Sequence, residues 1–329
     1  MASDAIPVID LGPYWSGAAG AKQRVADDVA WACENIGFLV ISNHGVPQDL
    51  IDRAFSVSRD FFDLPAEDKS RFKPADGVAP RGYHALETLN LARTLGQVTP
   101  PDLREQFYVG PLAPRTGRGS DVPGAAVFYS ENIWPEHPVA YREVFSEFYG
   151  VMEDLAARLM RIFATALALP ETYFDDKIDH HFSTSPSNHY PVVANDPLPG
   201  QIRCGAHTDF GSLTILAFND APGGLQVLMP DGSWLAMGAG PGQLVVNLGD
   251  MMQRWTNDRW KSTVHRVVNP PIDRRRESRR QTIGYFLHPN YDAEIACLET
   301  CTGPDNPPKY PPIMAGEHMR EKMERRVDG

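Results

Sequence analysis

Residues 204–228 read CGAHTDFGSLTILAFNDAPGGLQVL. Two short apolar runs in this stretch, Leu213–Phe218 and Leu225–Leu228, are separated by Asn219, Pro222, Gly223 and Gly224, residue types that turn a chain. The punctuated pattern continues outward from about 184 to 288, with further runs at 234–237, 243–248, 251–255, 262–268 and 282–287. Seven short strands at roughly even spacing predict an antiparallel sandwich or barrel.

Upstream the period changes. Residues 21–36 put Val25, Val29, Ala32, Cys33 and Ile36 on one helical face, with Gly37 where a C-cap glycine belongs. Strands are expected at 6–11 and 38–41, and a second helix at 48–62. Residues 71–137 are rich in Pro and Gly; their most strand-like pieces are Arg81-Gly82-Tyr83 and Glu105-Gln106-Phe107-Tyr108. A long helix is expected over 138–168, where Val144, Phe148, Val151, Leu155, Leu159, Ile162 and Ala166 recur at three- and four-residue steps. A short polar helix is expected near 315–327. There are no repeats, low-complexity segments or linkers, so residues 1–329 read as one compact unit, mainly β with flanking helices.

The 329 residues are 42% apolar and 22% charged, the composition of a globular chain. Lys and Arg number 31 against 42 Asp and Glu, a formal charge of −11, which argues against nucleic acid or an anionic membrane as partner. The four cysteines form no CxxC pair, and Cys297 and Cys301 have no Cys/His cluster beside them, so free thiols in a reducing compartment are expected. The N-terminus has no leader-like apolar run, and no stretch reaches the length of a membrane helix. A cytoplasmic location is the expectation.

Chemistry concentrates in three places. In a strand, residues i and i+2 project to the same face, so His207 and Asp209 can present an imidazole and a carboxylate to one point. His265, in another alternating segment, can complete the set. Two imidazoles and one carboxylate leave three coordination positions open, the arrangement of non-haem Fe(II) oxygenases. Arg280 and Thr282 share a face of the strand they head, and a guanidinium beside a hydroxyl is a carboxylate receptor. The neighbouring Arg274, Arg275, Arg276 and Arg279 read as a solvated turn. Asn188 and Tyr190 likewise share a face, with His189 on the other.

The ordered set NHYP (188–191), HTD (207–209), GGLQV (223–227), NLGD (247–250), His265 and RQT (280–282) resembles the isopenicillin N synthase-like group of Fe(II)/2-oxoglutarate-dependent dioxygenases. IPVIDL (6–11), GFLVISNHGVP (37–47) and FFDLPAEDK (61–69) extend the resemblance, which runs from Ile6 to about Tyr310. It implies a double-stranded β-helix, or jelly roll, over 100–295, with an α/β region (1–100) packed on it and a C-terminal tail and helix (296–329). It implies Fe(II) held by His207, Asp209 and His265. The distal carboxylate of 2-oxoglutarate would be held by Arg280 and Thr282, with Asn188 and Tyr190 close by.

The activity implied is oxidation of a small organic molecule by O2, by hydroxylation or else desaturation or ring closure, with 2-oxoglutarate converted to succinate and CO2. An iron oxidase of the same fold that does not use 2-oxoglutarate, and a non-catalytic binder of a small acid, are the alternatives. Phe286, Trp255, Phe107 and Tyr83 are candidates for the substrate pocket. His44 and Asp250 are read as structural.

Overall fold

The computed structural model describes residues 6–77, 79–113, 119–192, 196–219 and 221–327, without the side chains of 325–327; the first five residues, read above for the lack of a leader, lie outside this range. Two sheets carry the fold. The larger runs in the order β1 (Val8–Asp10), β2 (Phe38–Ser42), β10 (Leu244–Leu248), β7 (Leu213–Phe218), β12 (Arg280–Leu287), β5 (Ser185–Tyr190), β4 (Glu105–Val109) and β3 (Gly82–His84). The smaller runs β6 (Cys204–His207), β11 (His265–Val267), β8 (Leu225–Leu228) and β9 (Trp234–Ala236). Neighbouring strands are antiparallel except β1 and β2. This is the jelly-roll architecture.

Alternation explains why the large sheet is apolar on both faces. In β7, Leu213, Ile215 and Ala217 join one hydrophobic core; so do Leu244, Val246 and Leu248 of β10, and Ile283, Tyr285 and Leu287 of β12. That core is completed by the helices Ala21–Asn35, Gln48–Phe62 and Tyr141–Ala166, which lie against the sheet. The intervening residues point the other way: Phe38, Val40 and Val245 pack with Leu225 and Val227 of the small sheet. Inward positions that are not apolar include Thr214, Asn247, Gln106, Asn188, Thr282 and Arg280, and all are buried. Polar side chains between two sheets need partners, and these have them because they line the site.

One expected strand is a helix. Residues 251–255 lie in the helix Asp250–Trp255, whose Met251, Met252 and Trp255 are buried. Apolar residues at i, i+1 and i+4 follow helical spacing, and Asp250 in the first turn suits the positive end of the helix. A six-residue segment is too short for its period to be told from alternation. Trp255, expected in the substrate pocket, therefore faces the core instead. It is 1% exposed and its ring packs against Phe174 at 5.2 Å. Trp255→Ala is expected to lower stability in urea unfolding by about 3–5 kcal/mol, with the folded fraction keeping its affinity for 2-oxoglutarate.

Candidate active site

The register of the small sheet brings the first residues together. His265 on β11 pairs directly with His207 on β6, so residues 58 apart in sequence sit side by side with ring centroids 4.3 Å apart. The chain leaves β6 at His207, and two residues later Asp209 turns its carboxylate to both rings: Oδ1 lies 3.8 Å from His207 Nε2 and 3.7 Å from His265 Nε2. Ligand atoms of all three lie within 4.8 Å of one another.

The far side of each group is tied back. His207 Nδ1 bonds to the Gly205 carbonyl at 2.8 Å and His265 Nδ1 to the Thr263 carbonyl at 3.0 Å. A carbonyl accepts only, so both Nδ1 atoms carry a proton, and it is the Nε2 atoms that are turned to the site. Asp209 Oδ2 accepts from Thr214 Oγ1 at 2.5 Å and Asn247 Nδ2 at 2.7 Å; these donors are cross-strand neighbours on β7 and β10. Burial, with the adjacent His265, holds the His207 pKa well below its ordinary value, so the ring is a neutral donor. Two imidazoles and a carboxylate converging from one side fit a labile divalent metal with open positions.

Thr214 was not singled out by sequence, and Asn247 only as the head of NLGD, a motif read as structural. The signals were present: one amide heading NLGD and one hydroxyl inside the apolar run LTIL. Asp250, the acidic residue of NLGD, instead pairs with Lys322 at 2.6 Å and accepts from Thr208. His44 is structural, bridging the Gly242 carbonyl and the Val46 amide.

The second cluster is set by β12 against β5, whose register pairs Arg280 with Tyr190 and Thr282 with Asn188. Asn188 Nδ2 donates to Thr282 Oγ1 at 2.9 Å and Asn188 Oδ1 accepts from Gln106 Nε2 at 2.5 Å. Arg280 is 3% exposed, donates to the Asn219 carbonyl and lies over the Phe218 ring. A second buried guanidinium, Arg203, stands over the Tyr190 ring and donates to the carbonyls of Pro222 and Ser278. Burial and then the charge of Arg280 push Arg203 down to about 10. Burial pushes the Tyr190 phenol up to about 12, so it remains a donor. Two cations side by side out of water are a receptor for an anion. Arg203 was missed by sequence because it lies one residue before β6, where no alternation could be counted.

His189 faces away from this cluster, accepting from Arg279 and bonding to Glu105, which also takes Lys69 and the Tyr83 hydroxyl. Arg279 is thus not a purely solvated residue: it pairs with Asp63 at 2.7 Å, at the end of the helix Gln48–Phe62.

A cavity of about 110 Å³ opens beside His207 and Asp209. Phe286 lines it with Phe210, Leu91 and His288, and the C-terminal helix Ala315–Val327 adds Met319 and Met323. Tyr83, Phe107 and Trp255 do not line it. Phe107 packs between Phe61 and Tyr141, and Tyr83 is 3% exposed with its hydroxyl on Glu105. All three belong to the core: the odd positions of β4 and the central residue of β3 face the helices, and Trp255 packs on Phe174. Among the described residues no helix is long and apolar enough to cross a membrane, and all four cysteines are free.

Comparison with known proteins agrees with this geometry. Residues 182–289 match the model of the 2OG-Fe(II) oxygenase superfamily, and residues 6–137 that of the non-haem dioxygenase in morphine synthesis N-terminal region. The chain is 34% identical to the 2-oxoglutarate-Fe(II) type oxidoreductase hxnY of Emericella nidulans, covering 97% of this chain and 90% of that one. It is 30% identical to validamycin A dioxygenase of Streptomyces hygroscopicus subsp. limoneus, over 96% and 85%. A putative 2OG-Fe(II) oxygenase family protein of Caulobacter crescentus superposes with a TM-score of 0.83 at 32% identity, over 98% and 99% of the two chains. A full-length Neurospora crassa protein crystallised in complex with alpha-KG gives a TM-score of 0.82 at 30% identity, over 97% and 95%.

Proposed function

This chain belongs to the 2OG-Fe(II) oxygenase superfamily, and from that membership we propose how its own residues divide the work. It is an oxidoreductase that uses Fe(II), 2-oxoglutarate and O2. His207, Asp209 and His265 hold the iron. The observation that carries this assignment is the convergence of both Nε2 atoms on Asp209 Oδ1, with every opposite atom tied back.

When bound, the iron and cosubstrate supply the oxidising chemistry: 2-oxoglutarate and O2 become succinate and CO2, and one oxygen atom is left for the substrate. The protein supplies position. Arg280 and Thr282 hold the distal carboxylate of 2-oxoglutarate, with the charge of Arg203 beside them, and Tyr190 donates from the same wall. Asn188 aligns the Thr282 hydroxyl and is itself held by Gln106. Asn247 and Thr214 fix the rotation of Asp209, so that one oxygen faces the metal and the other does not. The cavity under Phe286, Met319 and Met323 keeps water from the reacting carbon. The substrate is a small organic molecule, and hydroxylation is the reaction this arrangement supports best.

The test is succinate formation by the Fe(II)-loaded protein across a library of small molecules. Oxygen-dependent succinate, rising with the true substrate and matched one to one by oxidised product, is the expected result. Failure of 2-oxoglutarate to turn over with any metal would reject the assignment.

Phe286→Ala separates pocket from core. Loss of a stacked ring contributes about 0.5–1.5 kcal/mol, or about two- to tenfold in the substrate's apparent constant, and succinate should form faster than product. A destabilised variant that stays tightly coupled would return Phe286 to the core.

A further inference from the structure

We propose that Arg104 receives an anionic group, a carboxylate, on the primary substrate, so that the enzyme acts on small acids with an apolar body. This rests on the reading of the cavity beside the triad as the substrate site.

The cavity has two unlike walls. Phe210, Phe286, Met319 and Met323 make one, and His84, Arg104, Gln106 and Tyr108 the other. The polar wall is largely committed. Gln106 Nε2 donates to Asn188, Tyr108 donates to Gln106 Oε1, and His84 Nε2 bonds to the Ala79 carbonyl. Arg104 is different. It is 8% exposed, its Nε has no hydrogen-bond partner, and its ion pair with Asp102 is long, at 3.5 Å. Asp102 meanwhile accepts from the amides of Gly205 at 2.9 Å and Leu91 at 3.3 Å. A guanidinium offers five donors in a fixed fork, and here the buried Nε–H has no acceptor while Nη2 has only the long pair with Asp102, an unfavourable state for a buried donor. A carboxylate entering the cavity supplies the acceptor that Nε lacks, in the geometry the fork is built for.

The carboxylate could instead be one end of 2-oxoglutarate. The position of Arg104 favours the substrate: it lines the cavity that holds His207, Asp209 and Phe286, and none of Arg280, Thr282, Asn188 or Tyr190 lines that cavity.

The test is calorimetric and needs no turnover. Phenylacetate, 3-phenylpropionate and isovalerate are each titrated against their neutral amides into anaerobic protein loaded with Fe(II) and 2-oxoglutarate. Each acid that enters should bind about tenfold to hundredfold more tightly than its amide, the range for a charge-assisted contact. Arg104→Gln should erase the difference while the 2-oxoglutarate constant, measured on the same sample, stays within a factor of about two. Arg104→Lys should keep part of the preference. Asp102→Asn, which removes the competing carboxylate and leaves Arg104 in place, should bind the acids at least as tightly as the wild type.

No acid preference in the wild-type protein would overturn the proposal. So would a preference that survives in Arg104→Gln, or one that falls to the amide level in Asp102→Asn. An equal loss of 2-oxoglutarate affinity in Arg104→Gln would assign the residue to the cosubstrate. Failure of the wild type to bind 2-oxoglutarate at all would reject the function proposed above, and is read separately from the acid–amide comparison.

Discussion

Replacement of His207, Asp209 or His265 by alanine is expected to abolish turnover and to strip the iron. With one of three fixed donors gone, two remain, too few to retain a labile divalent ion against dilution. Asp209→Ala should be the most damaging, because it also leaves the buried donors Thr214 Oγ1 and Asn247 Nδ2 without their shared acceptor. Asn247→Ala should be milder, costing about 10–100-fold in metal affinity as supporting hydrogen bonds do. Metal content after dialysis, together with succinate formation, checks each variant. A chelator should inactivate the wild type, and Fe(II) should restore it where Zn(II) does not. Full activity in metal-free protein would contradict the assignment.

The next largest effect is expected at Arg280. Arg280→Gln removes a charge-assisted contact to a carboxylate, worth roughly 1.5–3 kcal/mol, so the 2-oxoglutarate constant should rise by about one to two decades with iron content unchanged. Arg203, whose guanidinium is held by backbone carbonyls close by, keeps the site cationic and prevents a larger loss. Arg276 is exposed within the 3-10 helix Ile272–Glu277, and Arg276→Gln should change the constant by less than about twofold. Equal effects from the two would place the cosubstrate elsewhere.

The parts of this site that alternation could reach were legible in sequence. Arg280 with Thr282, and Asn188 with Tyr190, are each two apart within one strand, and a period of two assigns each pair to one face; His207 and Asp209 do meet, but Asp209 lies past the end of β6 and reaches the site by the turn of the chain rather than by alternation. Which strands become neighbours was not legible. The pairing of His265 with His207, and of Thr214 with Asn247, follows from sheet order, a non-local property that depends on how the two sheets close. The carboxylate's supporting donors were hidden for that reason. Arg104 was hidden for another: it precedes a strand whose Glu105 and Phe107 drew attention to the opposite face. Aromatic residues were the least legible, since Trp255, Phe107 and Tyr83 have the same character as Phe286 and differ only in the direction they point. Arg279 was misread because the run of arginines hides that this one member pairs with Asp63 at the end of the helix Gln48–Phe62.

The most direct measurement is an anaerobic calorimetric titration of 2-oxoglutarate into Fe(II)-loaded protein, for the wild type, Asp209→Ala and Arg280→Gln side by side. The expected result is one site per chain in the wild type, the same stoichiometry with affinity about ten- to hundredfold weaker in Arg280→Gln, and neither bound iron nor measurable binding in Asp209→Ala. Wild-type affinity for 2-oxoglutarate in Asp209→Ala, with iron still bound, would contradict it.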